Sequence, residues 1–111
     1  MNNYAIRRSI WLRGEGPKRS VLYRPCDDKM CVLGQIANQC GYSKSELAHK
    51  KSLRSLIDLK GSKGVLPLNL FSLIMCEISA LNDDASISEE RREYNLKERF
   101  KMFGVKLFIV D

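Results

Sequence analysis

The spacing of polar and apolar positions changes several times along the chain, and the changes delimit its elements. "YAIRRSIWL" sets Tyr4, Ile6, Ile10 and Leu12 on one side of a two-residue alternation interrupted by Arg8, which predicts a strand. A short helix through Trp11 is the competing reading. "RGEGPKRS" then breaks the pattern with two glycines and a proline, as a loop does. "SVLYRP" supplies a second short strand, ended by Pro25. From Asp28 the spacing becomes helical. Met30, Leu33, Ile36, Ala37 and Cys40 share a face, Asp27 or Asp28 is placed to cap the start, and Gly41 can close the end. Ser43 and Glu46 have the spacing of a capping box for a short helix to about Lys50. Leu53, Leu56 and Ile57 give two more turns before a glycine-rich loop carrying Lys60 and Lys63.

Pro67 opens a strongly patterned helix with Leu70, Phe71, Ile74, Ile78 and Leu81 along its apolar stripe. Ser86 and Glu89 predict a second capping box and a charged helix through Phe103, with Leu96, Phe100 and Phe103 toward the core. The acids Glu89, Glu90 and Glu93 lead and the bases Lys97, Arg99 and Lys101 trail, the order that the helix dipole favours. Gly104 ends the helix. "VKLFIVD" predicts a terminal strand, apolar on both faces and therefore paired inside a sheet, with the N-terminal strands as its partners. The expected architecture is a single α+β domain over residues 1–111: a small sheet formed by the N-terminal strands and the C-terminal strand, packed with three to four helices.

A chain of 111 residues suits one hydrophobic core. No apolar run approaches the ~20 residues that span a bilayer, and "MNNYAIRRSIW" lacks the apolar stretch of a signal peptide. The expectation is a cytoplasmic protein with no membrane partner and with its four cysteines reduced. The net charge of +6 is uneven: residues 1–66 carry thirteen Lys/Arg against five acids, and residues 67–111 six against eight. Such asymmetry suits an acidic partner, nucleic acid or protein, and equally a soluble basic protein with no electrostatic partner.

Chemistry concentrates in "RPCDDKMCVLGQIANQCG". Cys26, Cys31, Cys40 and His49 are the only nearby zinc set, and their spacing departs from a C-x2-4-C knuckle. Cys31 and Cys40, nine positions apart, lie about half a turn from one another on a helix, so one metal cannot engage both without breaking it. A nucleophilic Cys31 in the first helical turn, served by His49, is the thiol-enzyme reading; Asp27 and Asp28 oppose it by disfavouring the thiolate. Read as a calcium loop, "NDDASISEERRE" sets Asn82, Asp84, Ser86 and Glu93 at ligand positions but has Ile87 where glycine is required. Metal candidates reduce to Cys26, Cys31, Asn82 and Asp84, and neither a metal nor a cofactor is expected. No P-loop, Rossmann fingerprint, HExxH or GxSxG motif occurs, and no catalytic residue is assigned.

Three blocks, "RRSIWLRGEG", "DDKMCVLGQIANQCG" and "LNDDASISEERREYNLKERFKMFGVKLFIVD", together resemble an uncharacterised family of small bacteriophage and prophage accessory proteins. The family pattern has a W-L-R-G-E-G-like start, a K-M-C-C-L-G-like centre and an I-N-D-D…F-V-D-like end. Val32 stands where that centre has its second cysteine, which weakens a dithiol or metal role there, and Arg92 displaces an expected acid to Glu93. The resemblance implies a phage accessory context, in which small proteins bind and redirect host or defence machinery, and it implies no activity.

The expected function is non-catalytic binding of a bacterial protein, a host or defence factor, with a homodimer also allowed by the pattern. The candidate surface is the basic N-terminal edge, Arg7, Arg8, Trp11, Arg13, Glu15, Lys18 and Arg19, with Lys60 and Lys63 beside it. Two alternatives stand: a nucleic-acid binder using that same edge, where bases and aromatics interleave, and a small thiol- or metal-dependent enzyme centred on Cys31. Whether Trp11 is core or contact stays open at this level.

Overall fold

The computed structural model describes residues 2–13, 21–48, 50, 80–84 and 86–111. The expected helices over 53–57 and 67–81 (apart from its end), the loop at 60–64, and Glu15, Lys18, Arg19, His49, Lys60 and Lys63 lie outside them. Strand β1 (Asn2–Arg7) passes through a single 3-10 turn (Arg8–Ile10). Helix α1 (Val32–Gln39) and the one-turn helix α2 (Lys44–Leu47) follow. After a helical end at 80–82 come helix α3 (Glu89–Lys101) and strand β2 (Val105–Val110). No helix among the described residues is long and apolar enough to cross a membrane.

The fold is α+β, and its sheet joins the beginning and end of the chain. β1 and β2 run parallel, with Asn2 opposite Val105 and each pair in step through Arg7 opposite Val110. Because side chains alternate across a strand, Ile6, Val105 and Leu107 face inward, with Tyr4 and Ile109 half-buried beside them. Leu96 and Phe100 of α3 and Leu33, Ile36 and Ala37 of α1 complete this core with Leu22, Met30, Tyr42 and Leu47.

The expected strand through Leu12 ends earlier, at Arg7. The 3-10 turn resets the phase so that Trp11 and Leu12 are both buried, and the competing short helix is thereby partly realised. "SVLYRP" does not join the sheet. Tyr23 makes a lone parallel bridge to Ala48, and the Leu22 amide donates to the Lys50 carbonyl at 2.6 Å. β1 has no room for it, because side chains of α1 already occupy β1's outer edge. Leu22 is instead drawn against α1, where Gly34 permits contact: a Cβ there would fall 1.8 Å from the Leu22 carbonyl oxygen.

α1 starts later than the periodicity implied. Asp28 adopts φ +58° and turns the chain back, with the Arg24 amide donating to the Lys29 carbonyl at 2.8 Å. The N-cap is Cys31, not Asp27 or Asp28. The helix closes on Gly41 at φ +107°, where the amides of Gly41 and Tyr42 return to Asn38 and Ala37, the pattern of a Schellman motif. Ser43 and Glu46 form the expected capping box at α2. At α3 the expected box is replaced: Ser88 is the N-cap, accepting from the Arg91 amide, while Ser86 donates to Asp84.

Candidate functional site

Of the described residues of the expected basic edge, Trp11 turns inward, whereas Arg7 and Arg8 stay exposed. Trp11 is core, 3% exposed, and its indole N–H donates to Asn82 Oδ1 at 2.7 Å. Asn82, 1% exposed, also accepts from the Val32 amide at 3.1 Å and donates to the Leu12 carbonyl at 3.1 Å and to Asp83 Oδ1 at 2.9 Å. An amide offers two donors and an acceptor oxygen with two lone pairs, and all are used here. Asn82 therefore joins the chain after β1, the start of α1 and the turn before α3.

Arg8 and Arg13 are held by carboxylates of α3. Arg8 grips Glu93 with two parallel bonds, Nε to Oε2 at 2.9 Å and Nη2 to Oε1 at 2.8 Å, and reaches Asp111 at 3.4 Å. The Arg13 guanidinium carbon lies over the Trp11 ring, 4.2 Å from its centroid, and Arg13 bonds Glu89 through Nη1. The bidentate fork is the strong form of this contact. It holds the Glu93 carboxyl below the usual carboxylate range and raises Arg8 further. Arg92, 3% exposed, donates to the Asp84 carbonyl at 2.6 Å and lies 3.8 Å from Glu89. Its Nε and Nη1, like Arg13 Nε, are buried without a hydrogen-bond partner among the described residues.

Cys31 is buried and caps α1. Its Sγ accepts from the Gly34 amide at 3.4 Å, and burial pushes the thiol up to about 11, away from the depressed value of a nucleophile. Cys26 is exposed on the 25–28 turn, and Cys40 Sγ donates to the Tyr4 hydroxyl at 3.6 Å. The same turn is tied down by Asp28, which accepts from Tyr23 and Lys44 at 2.8 Å each, and by Asp27, held by Arg24. The cation partners hold both carboxyls below their ordinary values. The calcium arrangement does not form: Asn82 points into the core, Asp84 accepts from Ser86 at 2.5 Å, and Glu93 belongs to Arg8. Among the described residues no three His, Cys, Asp or Glu side chains converge as metal ligands.

Two glutamines absent from the sequence candidates organise the sheet instead. Gln39 accepts from the Ala5 amide at 3.2 Å and donates to the Ala5 carbonyl at 2.6 Å. One turn earlier, Gln35 accepts from the Arg7 amide at 2.8 Å and donates to the Arg7 carbonyl at 3.3 Å. Each side-chain amide reproduces both halves of a strand pairing, so α1 supplies β1 with a substitute neighbour. The signal in the sequence is two glutamines at i, i+4, one beside the apolar stripe.

What remains open is the outer face of the sheet. Asn3, Ala5 and Arg7 on β1 stand opposite Lys106, Phe108 and Val110 on β2, and all six are exposed. Phe108 and Val110 are each 44% exposed, and the Lys106 ammonium sits 5.0 Å from the Phe108 ring centroid. Ala5, opposite Phe108, is too small to cover the ring. Among the described residues of the expected surface, Arg7 belongs to this face, and Arg8, Trp11 and Arg13 are engaged elsewhere. Comparison with known protein families, with curated proteins and with solved structures finds no match for the chain.

Proposed function

We propose that this protein is a phage-type accessory protein that acts by binding a bacterial protein and performs no chemistry. The observation that carries the reading is the open sheet face, where two large apolar side chains, Phe108 and Val110, are exposed with Lys106 over the Phe108 ring and Arg7 opposite Val110. Exposed aromatic and aliphatic side chains with a basic neighbour make a contact surface for an acidic partner. The thiol-enzyme reading loses support because Cys31 is buried with a raised pKa. Nucleic acid is the weaker binding reading, because Arg8 and Arg13 are already neutralised by Glu93, Glu89 and Asp111.

The test is a tagged pull-down from bacterial lysate with and without nuclease, comparing the natural chain with Phe108→Asp. A discrete protein recovered in both lanes, and lost with Phe108→Asp while that variant keeps its circular dichroism, is the expected result. Retention of the same protein by Phe108→Asp, or recovery of nucleic acid alone, would remove the reading.

A further inference from the structure

We infer that the partner is held as an added strand along the outer edge of β2, through an extended segment that alternates acidic and apolar residues. This rests on the binding reading above and specifies how that face is used.

Among the described residues the sheet has two strands and so two outer edges, and these differ. The β1 edge is closed: Ala5 and Arg7, whose peptide groups point away from β2, have both N–H and C=O engaged by Gln39 and Gln35. A strand arriving there would have to displace four hydrogen bonds. At β2, no hydrogen bond among the described residues reaches the backbone of 105–110 apart from the ladder with β1. β2 is a six-residue strand, VKLFIV, with one charged residue, no proline and no glycine. Edge strands exposed in this way are templates for another chain, and proteins normally blunt them with charge, proline or a bulge. Here Gln35 and Gln39 protect one edge and leave the other able to grow.

The side chains specify what can be added. On the outer face the charges are Arg7 and Lys106, with no carboxylate among the six residues of that face. An incoming strand would place alternate residues beside Lys106, Phe108 and Val110, and the others beside Leu107 and half-buried Ile109. Acidic residues in the first set pair with Lys106 and lay their methylenes on Phe108; apolar residues in the second extend the core. A second copy of this chain fits less well, since pairing at β2 would bring both copies' Lys106 and Arg7 onto one face. Nucleic acid fits less well again: two cations are few for a phosphate chain, and an open strand edge offers peptide groups that match another backbone.

The experiment uses the full chain, isotope-labelled for amide NMR, titrated with an end-capped (Val-Glu)4 peptide. Controls are a (Val-Lys)4 peptide, a (Val-Glu)4 peptide N-methylated on alternate residues, and oligo-dT. The expected result is slowed amide exchange at alternate positions within 105–110. Affinity should drop at least roughly tenfold on N-methylation, because each methyl removes a backbone donor from the added ladder. Lys106→Glu, an exposed change, should reverse the preference toward the lysine peptide, by roughly two- to fivefold per cross-strand charge pair. Unchanged β2 amides at millimolar (Val-Glu)4, equal binding of the N-methylated peptide, slowed exchange at β2 through self-association alone, or tighter binding of oligo-dT would each overturn the inference. If β2 amides stay unchanged while Phe108→Asp still loses the lysate partner, the binding reading survives and the added strand does not.

Discussion

Asn82→Ala is the sharpest test of how the N-terminal segment is fixed. The substitution removes one side-chain amide and strands three partners at once: the Trp11 indole N–H, the Val32 amide and the Leu12 carbonyl. A buried polar group left unpaired costs about 1–3 kcal/mol. Water entering the vacated volume recovers part of that, so the net loss is about 3–5 kcal/mol. A domain of 111 residues has about 6–17 kcal/mol to lose, so the variant still folds but unfolds at much lower denaturant. With a urea slope of about 1.5 kcal/mol/M the midpoint should fall by roughly 2–3 M. Trp11 is the chain's single tryptophan, so its emission reports the same locus directly and should shift to the red in the native variant. Pairing Asn82→Ala with Trp11→Phe in a double-mutant cycle, followed by circular dichroism, isolates the indole contact, and a coupling of about 1 kcal/mol is expected. A midpoint loss equivalent to less than about 1 kcal/mol, with unmoved Trp11 emission, would refute Asn82 as the junction of the three segments.

Three further outcomes follow from the geometry. Gly34→Ala should destabilise by at least about 2 kcal/mol in urea unfolding, because the new methyl meets the Leu22 backbone at 1.8 Å and the ~1 kcal/mol gain in helix propensity cannot offset it; a neutral or stabilised variant would contradict the close approach. Alkylation of the folded protein at pH 8, mapped by mass spectrometry, should label Cys26 quickly and leave Cys31 unlabelled until the chain unfolds, since Cys31 is buried and its thiol raised to about 11. Arg8 depresses the folded pKa of Glu93, so this pair's stabilisation is present above the unfolded value of about 4.3 and is lost as pH falls through the lower folded value. Glu93→Gln should therefore flatten the decline in urea midpoint between pH 5 and pH 3, and an unchanged slope would show that the fork contributes nothing.

Much of the architecture was legible from side-chain spacing. Leu33, Ile36 and Ala37 announced α1, Leu96 and Phe100 announced the buried side of α3, and "VKLFIV" announced β2. Local signals with one dominant cause also read correctly, such as Gly41 at its positive φ and the capping box at Ser43. Spacing says less where one residue type can serve opposite roles. Arginine next to tryptophan fits a phosphate surface or an ion pair within the chain equally well, and the acids that pair with Arg8 and Arg13, Glu93 and Glu89, lie far along the chain. Glutamine on a helix is ordinarily solvated, so nothing in the local pattern revealed that Gln35 and Gln39 act as a strand neighbour. "SVLYRP" has strand composition, yet its place in the sheet was already taken. The exposure of Phe108 was hidden because a strand apolar on both faces usually lies inside a sheet.

The pairing of β1 with β2 also governs the order in which this domain can assemble. Closing a loop of roughly a hundred residues costs about 4 kcal/mol of chain entropy beyond the fixed nucleation term, and the ladder recovers nothing until both strands meet. The contacts of β1 with Gln35 and Gln39 span only 28 and 34 positions. β1 can therefore dock on α1 while β2 is still unsynthesised on the ribosome, its peptide groups satisfied from one side. The last strand then arrives at a prepared half-site, and the slow, long-range step of folding is reduced to a single addition.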